Sequence, residues 1–127
     1  MANRKKITSL AVDGSGDWLI VGTENHYFTV WNLPTITLTN SLPVYGIPSN
    51  CIFKGKDILT IGSEEFIYHW SINGKYNMRV STSSTCLTGI TIHPQYGVLL
   101  VCGNSRMIDV FADLHYKSFS LIFPSIH

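Results

Sequence analysis

Asp17-Trp-Leu-Ile-Val-Gly-Thr-Glu-Asn-His-Tyr-Phe-Thr-Val-Trp-Asn-Leu33 decides the fold, because its pattern returns twice further along the chain. An apolar run reaches Gly22, a short polar turn follows, and a second β-rich run ends on Trp31. In the second copy, Asp57-Ile-Leu-Thr-Ile-Gly-Ser-Glu-Glu-Phe-Ile-Tyr-His-Trp-Ser-Ile72, Gly62 and Trp70 take these places. In the third, Val98-Leu-Leu-Val-Cys-Gly-Asn-Ser-Arg-Met-Ile-Asp-Val-Phe-Ala112, Gly103 and Phe111 do. The glycines lie 40 and 41 residues apart and the aromatics 39 and 41. A period of about 40 to 45 residues carrying four short strands is the signature of a WD-type propeller blade. The glycines and aromatics Gly22, Trp31, Gly62, Trp70, Gly103 and Phe111 are therefore expected to be structural.

The totals suit one domain: 127 residues, of which 45% are hydrophobic and 13% charged. So few charges fit sheets covered on both faces. A net charge of +1 gives no basic face of the kind nucleic-acid binders show. No window nears the roughly 20 apolar residues of a membrane-spanning helix, and Met-Ala-Asn-Arg-Lys-Lys6 is not followed by the apolar stretch of a signal peptide. Cys51, Cys86 and Cys102 are odd in number and lack CxxC spacing, which makes neither a disulfide framework nor a zinc site. Each sits in an apolar β context that suits a buried reduced thiol. No Asn-x-Ser/Thr sequon occurs.

Taken in order, residues 7–12 alternate as a strand and end at Asp13-Gly-Ser-Gly16, a turn with two residues free to take positive φ. Trp18–Val21 is apolar on both faces and so needs cover on both. Tyr27–Leu33 is the third strand, Pro34 closes it, and Thr35–Leu42 is a more polar outer strand. The second unit runs Asn50–Phe53, Ile58–Ile61 and Phe66–Ile72, with Asn73-Gly74 predicting a two-residue type I′ turn into Lys75–Ser81. The third runs Leu87–Ile92, Val98–Cys102, Met107–Phe111 and Tyr116–Phe123. Gly16, Gly55 and Gly97 each precede the second strand of a unit, and no helix is expected. The blades are placed at about 7–43, 47–82 and 86–123, a single partial all-β propeller.

Propellers close with about four to eight blades, so three leave apolar faces open at both ends. The sequence is read as lacking blades at its amino end, the other solution being a second chain over those faces.

With the blades placed, the chain resembles the carboxyl-terminal part of the THO complex subunit 6 family, WD-repeat proteins of the nuclear THO/TREX mRNA-export machinery. Asp13-Gly-Ser-Gly-Asp-Trp-Leu19 followed by Trp31-Asn-Leu33 is similar to a family blade that opens on an acidic, glycine-containing turn and ends in Leu-Trp-His-Leu. Asp109-Val-Phe111, Leu114 and Tyr116 through Phe123 fall in step with the family's ending, approximately Asp-Val-Phe-Thr-Asn-Leu-Gly-Tyr-Arg-Ala-Phe-Ser-Leu-Ser-Phe. The similarity runs over about residues 7 to 123. The Trp-Asp and Gly-His pairs of standard WD repeats are missing: Asn32 follows Trp31, Ser71 follows Trp70, and Phe111 replaces the third Trp. The resemblance implies a seven-bladed propeller, a nuclear location and a non-catalytic scaffold whose partners are other THO complex subunits. It implies RNA contact that is at most indirect, and no membrane, cofactor, metal or small-molecule substrate.

The residues themselves agree in class, though fold alone would not establish a function. The candidate partner contacts are turn and connector residues: Glu24, Asn25, His26, Tyr45, Glu64, Glu65, Ser105 and Arg106. Ordinary solvated turns would carry the same residue types. A nucleophile constellation could draw on Cys51 or Cys86, His69 or His93, and Asp109, but no motif joins them. His26, His93 and His115 show no ligand spacing. Arg4-Lys5-Lys6 could be a localisation fragment or a solvated terminus. Tyr27 and Tyr68 lie on third strands, where blade packing is the plainer role; Tyr45 lies in a Pro-flanked loop, where an aromatic can anchor a partner. The alternative from another class is an extracellular β-sandwich recognition module, which shares short strands every 8 to 12 residues and would be marked by a Cys51–Cys86 disulfide.

Overall fold

Runs of four to seven residues with period-two alternation, each stopped by a Gly, Pro or Asn turn, have one local solution: short antiparallel strands joined by hairpins. In the computed structural model, which describes residues 5–112 and 119–122, twelve such strands form. They are β1 (Ile7–Val12), β2 (Trp18–Thr23), β3 (Tyr27–Asn32), β4 (Thr37–Pro43), β5 (Pro48–Lys54), β6 (Asp57–Gly62), β7 (Phe66–Ser71), β8 (Tyr76–Ser81), β9 (Leu87–Ile92), β10 (Leu99–Gly103), β11 (Met107–Phe111) and β12 (Phe119–Ile122). Consecutive strands pair into three four-stranded antiparallel sheets, β1–β4, β5–β8 and β9–β12. No helix occurs among the described residues. Residues 116–118 and Phe123 of the expected last strand, and Leu114, lie outside the described residues.

The first strands β1, β5 and β9 lie side by side, and the three sheets stack face to face around them. Two apolar cores fill the gaps between sheets. Between the first and second, Ile20, Phe28, Val30 and Leu42 meet Ile58, Tyr68 and Trp70. Between the second and third, Leu59, Ile61, Ile67 and Val80 meet Leu87, Leu99, Val101 and Phe111. The middle sheet is apolar on both faces because both are covered, which explains a β6 with only Asp57 left partly exposed.

A β-sandwich has two sheets and one core; this chain has three sheets and two cores, so the sandwich alternative is not what forms. Cys51 and Cys86 are free thiols.

The strand pairing refines the 40-residue period. Trp31, Trp70 and Phe111 pair with Leu19, Ile58 and Leu99, which makes these three positions equivalent. Gly22 pairs with Phe28, whereas Gly62 and Gly103 lie beyond the ladder between the second and third strands, because Gly22 comes three residues after Leu19 but Gly62 and Gly103 come four after Ile58 and Leu99. A Cβ on Gly62 would stand 2.5 Å from the Ile47 carbonyl, and one on Gly103 would collide with the Cys86 carbonyl. Each of these two glycines lets the incoming connector cross close to its strand.

Two turns differ from simple expectation. Asn73-Gly74 does not make a type I′ turn, since that needs positive φ at both residues and only Gly74 (φ 88°) has it. The Gly74 N–H instead donates to the Ser71 carbonyl at 3.0 Å and the Ser71 N–H to the Lys75 carbonyl at 2.9 Å, a three-residue loop with Gly74 in the left-handed position. A hydrogen bond from the Ser71 hydroxyl to the Asn73 side chain holds Asn73 away from the left-handed region. The matching loop of the first sheet puts Ile36 at φ 50°, an uncomfortable conformation for a β-branched residue.

Candidate partner-binding surface

All three turns between second and third strands lie at one end of the stack, where they hold the connectors between sheets. The connector backbone cannot join a ladder, so its polar groups need other partners. In the first turn the Val44 N–H donates to the His26 carbonyl at 2.9 Å. His26 Nδ1 lies 3.0 and 3.1 Å from the Tyr45 and Gly46 carbonyls. Carbonyls only accept, so Nδ1 carries the proton. The φ of 61° at His26 aims the ring at that connector.

The second turn is tied more tightly. Glu64 accepts from the Gly46 N–H on Oε2 and from the Tyr68 hydroxyl on Oε1, both at 2.7 Å. The Ile47 N–H donates to Ser63 Oγ at 2.7 Å. On the other side, Thr82 donates its N–H and its hydroxyl to the Glu65 carbonyl. The Tyr68 phenol is pushed above its ordinary value, first by burial and then by the Glu64 carboxylate that its proton serves.

In the third turn, Asn104 Oδ1 accepts from the N–H groups of Thr85 and Cys86, and Ser105 Oγ lies 2.9 Å from Ser84 Oγ. Asp109, almost fully buried, accepts from the Ser83 N–H at 2.6 Å and from the Ser120 hydroxyl at 2.7 Å.

Tyr45, Glu64 and Glu65 come together in one groove of about 410 Å³, shared with Phe66, Arg79 and Thr85. Tyr45 stands out, 86% exposed. The Arg79 guanidinium lies 4.2 Å over the Phe66 ring, a cation–π contact that fixes the groove's positive end. Glu65 is exposed, and its carboxylate accepts from the Ser81 hydroxyl at 3.2 Å. Glu24, Asn25, His26, Ser105 and Arg106 do not line this groove. Of these, His26 and Arg106 are exposed, and Glu24, Asn25 and Ser105 are half-buried. Phe66 and Arg79 were not foreseen: Phe66 directly follows Glu64-Glu65, but Arg79 reaches the groove only through the β7–β8 pairing that sets it opposite Tyr68.

Three of the residues weighed for catalysis, His69, His93 and Asp109, are engaged elsewhere. His69 Nε2 is 2.9 Å from Asp57 Oδ2, His93 Nδ1 accepts from the Gln95 and Tyr96 N–H groups, and Asp109 holds the connector. Burial pushes the Cys51 thiol up to about 11, against a smaller opposing effect of the Ser9 hydroxyl. A thiol so far above neutrality is a poor nucleophile. Among the described residues no three His, Cys, Asp or Glu side chains are grouped as a metal site would need; Arg4 and His115 lie outside them. No helix of the described residues is long and apolar enough to cross a membrane.

Four-stranded antiparallel sheets stacked face to face, first strands innermost and a 40-residue repeat between them, define the class: WD-type β-propeller blades in a ring that is not closed. No protein-family profile matches the chain. Curated relatives do. It is 32% identical over 126 residues to the mouse (Mus musculus) THO complex subunit 6 homolog, covering 95% of this chain and 36% of the relative. It is 31% identical over 126 residues to human (Homo sapiens) THO complex subunit 6, with the same coverage. With the Arabidopsis thaliana THO complex subunit 6 the identity is 29% over 110 residues, 87% of this chain and 29% of the relative. The chain is thus a homologue of the THO complex subunit 6 proteins and spans about a third of their length.

Proposed function

We propose that the chain is a non-catalytic scaffold that joins protein subunits of a THO-type complex in the nucleus and so supports mRNA processing and export. The observation that carries this reading is the homology to THO complex subunit 6 over nearly the whole chain. The engagement of His69, His93 and Asp109 in structural bonds supports the non-catalytic part. RNA is then reached through other subunits, in keeping with a net charge of only +1, and neither a membrane nor a small-molecule substrate has a part.

The partner contacts are assigned to the turn end of the stack: the groove of Tyr45, Glu64 and Glu65, flanked by Glu24, Asn25, His26, Ser105 and Arg106. A rigid rim with an exposed aromatic beside charged groups suits a protein partner. Glu65→Arg and Arg106→Glu should each weaken binding to a reconstituted THO assembly that lacks its subunit 6, by about tenfold or more, with the melting temperature almost unchanged. If both variants bind like the parent chain, this end of the stack is not the contact.

A further inference from the structure

Hairpin turns alternate between the two ends of a sheet, so the β1–β2 and β5–β6 turns lie at the end of the stack opposite the turns between second and third strands. At that end the gap between the first and second sheets widens into a cleft of about 640 Å³, within the size range of ligand sites. Its apolar wall is Trp18, Phe53 and Ile72, all half-buried. Trp18 and Phe53 pack on the core between these two sheets from its outer end. Gly14 of one turn and Gly55 and Lys56 of the other stand exposed at the mouth. A Cβ at Gly14 or Gly55 would meet nothing within 4 Å, so the turns leave the mouth open.

The two charges of the lining are not equivalent. Asp13 is occupied inside its own turn: Oδ2 accepts from the Ser15 hydroxyl at 2.7 Å, and Oδ1 from the N–H groups of Asp17 and Trp18, both at 3.1 Å. The Lys56 ammonium has no partner among the described residues. The Trp18 indole N–H has no acceptor among them either, whereas those of Trp31 and Trp70 donate to Thr29 and Thr60. Both unused side-chain groups of the cleft are therefore donors, set beside apolar surface.

We propose that this cleft binds an acidic segment of a partner protein. One carboxylate takes the Lys56 ammonium and the Trp18 indole N–H, while an adjoining apolar side chain lies against Phe53 and Ile72. A cationic guest would meet Lys56 and find the Asp13 carboxylate already filled. A nucleic-acid strand binds through many phosphates and needs a row of cations, of which this lining has one. A peptide needs only a charge and an apolar anchor. The inference does not rest on the contacts assigned to the other end of the stack; it gives the scaffold a second surface, facing away from the first.

Fluorescence anisotropy of the labelled peptide Asp-Glu-Leu-Phe-Asp-Glu, titrated with the full chain, tests it. Saturable binding is expected, weakened at least about threefold between about 0.1 and 0.5 M salt. Replacing Leu-Phe in the peptide by Ala-Ala should weaken it at least about tenfold. Lys56→Glu and Gly14→Glu, one in each turn, should each do the same. Both positions are exposed and Gly14 is not at positive φ; circular dichroism checks the fold, and Lys56→Ala, with a loss of about threefold, replaces either variant that does not fold. The basic peptide Lys-Lys-Leu-Phe-Lys-Lys should bind Lys56→Glu more tightly than the parent chain. Glu65→Arg, at the other end of the stack, should leave the affinity for the acidic peptide unchanged. The proposal is overturned if the acidic peptide does not bind saturably, if parent and variants bind it equally, or if Glu65→Arg abolishes binding. Tighter binding of the basic peptide or of oligouridylate to the parent chain would overturn it too.

Discussion

Trp31 and Trp70 hold the same place in the repeat but not the same surroundings. Trp70 is 3% exposed, donates its indole N–H to Thr60 Oγ1 at 3.1 Å, and meets the Tyr76 ring edge-on at a centroid separation of 5.5 Å. Trp31 donates to Thr29 Oγ1 at 2.9 Å but lies half-buried on the open face. Truncating a sealed aromatic loses its transfer energy and leaves a cavity. Trp70→Ala should therefore cost about 3–5 kcal/mol in urea unfolding. Trp31→Ala should cost only about 1 kcal/mol. Equal losses would mean that the two faces are equally covered. The sequence could pick out both residues through the period, but a period cannot say which copy has a neighbour.

At the scale of the element, the Glu64 clasp links a turn, a strand and a connector through two charge-assisted hydrogen bonds. It couples folding to pH through Tyr68. The folded-state pKa of this phenol is raised, so the fold holds its proton more firmly than the unfolded chain does. The resulting stability is whole below the ordinary tyrosine value of about 10 and is lost as pH rises through the raised folded value. Thermal melts taken from pH 8 to 11 should fall away above about pH 10. Glu64→Gln should flatten that fall by removing the charge that opposes ionisation, while costing about 1 kcal/mol at neutral pH. A fall of unchanged steepness in Glu64→Gln would assign the shift to burial alone.

The strands around this clasp were legible: period-two alternation placed them, and Gly16, Gly55 and Gly97, all at positive φ, marked the turns before the second strands. The clasp was not. Its partners lie 4 and 18 residues from Glu64, and nothing local distinguishes a glutamate that will accept a connector N–H from a solvated one. The β7–β8 loop was misjudged for a related reason: Asn-Gly suits both the two-residue and the three-residue hairpin, and the Ser71 side chain tips the balance. Ile36 at positive φ carries no local signal at all.

For the molecule as a whole, the repeat made the number of sheets legible, and blade arithmetic the open ends. The middle sheet packs on both faces and the outer two on one, so resistance to opening should fall away from the centre. Amide protons of Leu59, Thr60 and Tyr68 should exchange with solvent slowest, and those of Leu19 and Leu100 at least about tenfold faster. Uniform exchange rates across the three sheets would mean that the stack opens as one unit.

The same face-to-face packing at both junctions of the stack has a consequence for descent. A gene encoding such a chain can lose or duplicate a stretch of about 40 residues and still present, at every junction, a surface its neighbour already fits. Whole blades are thus the unit in which length can drift at least cost to the interfaces. An insertion of odd length inside a strand would instead turn the residues beyond it to the opposite face and break the alternation on which each junction depends.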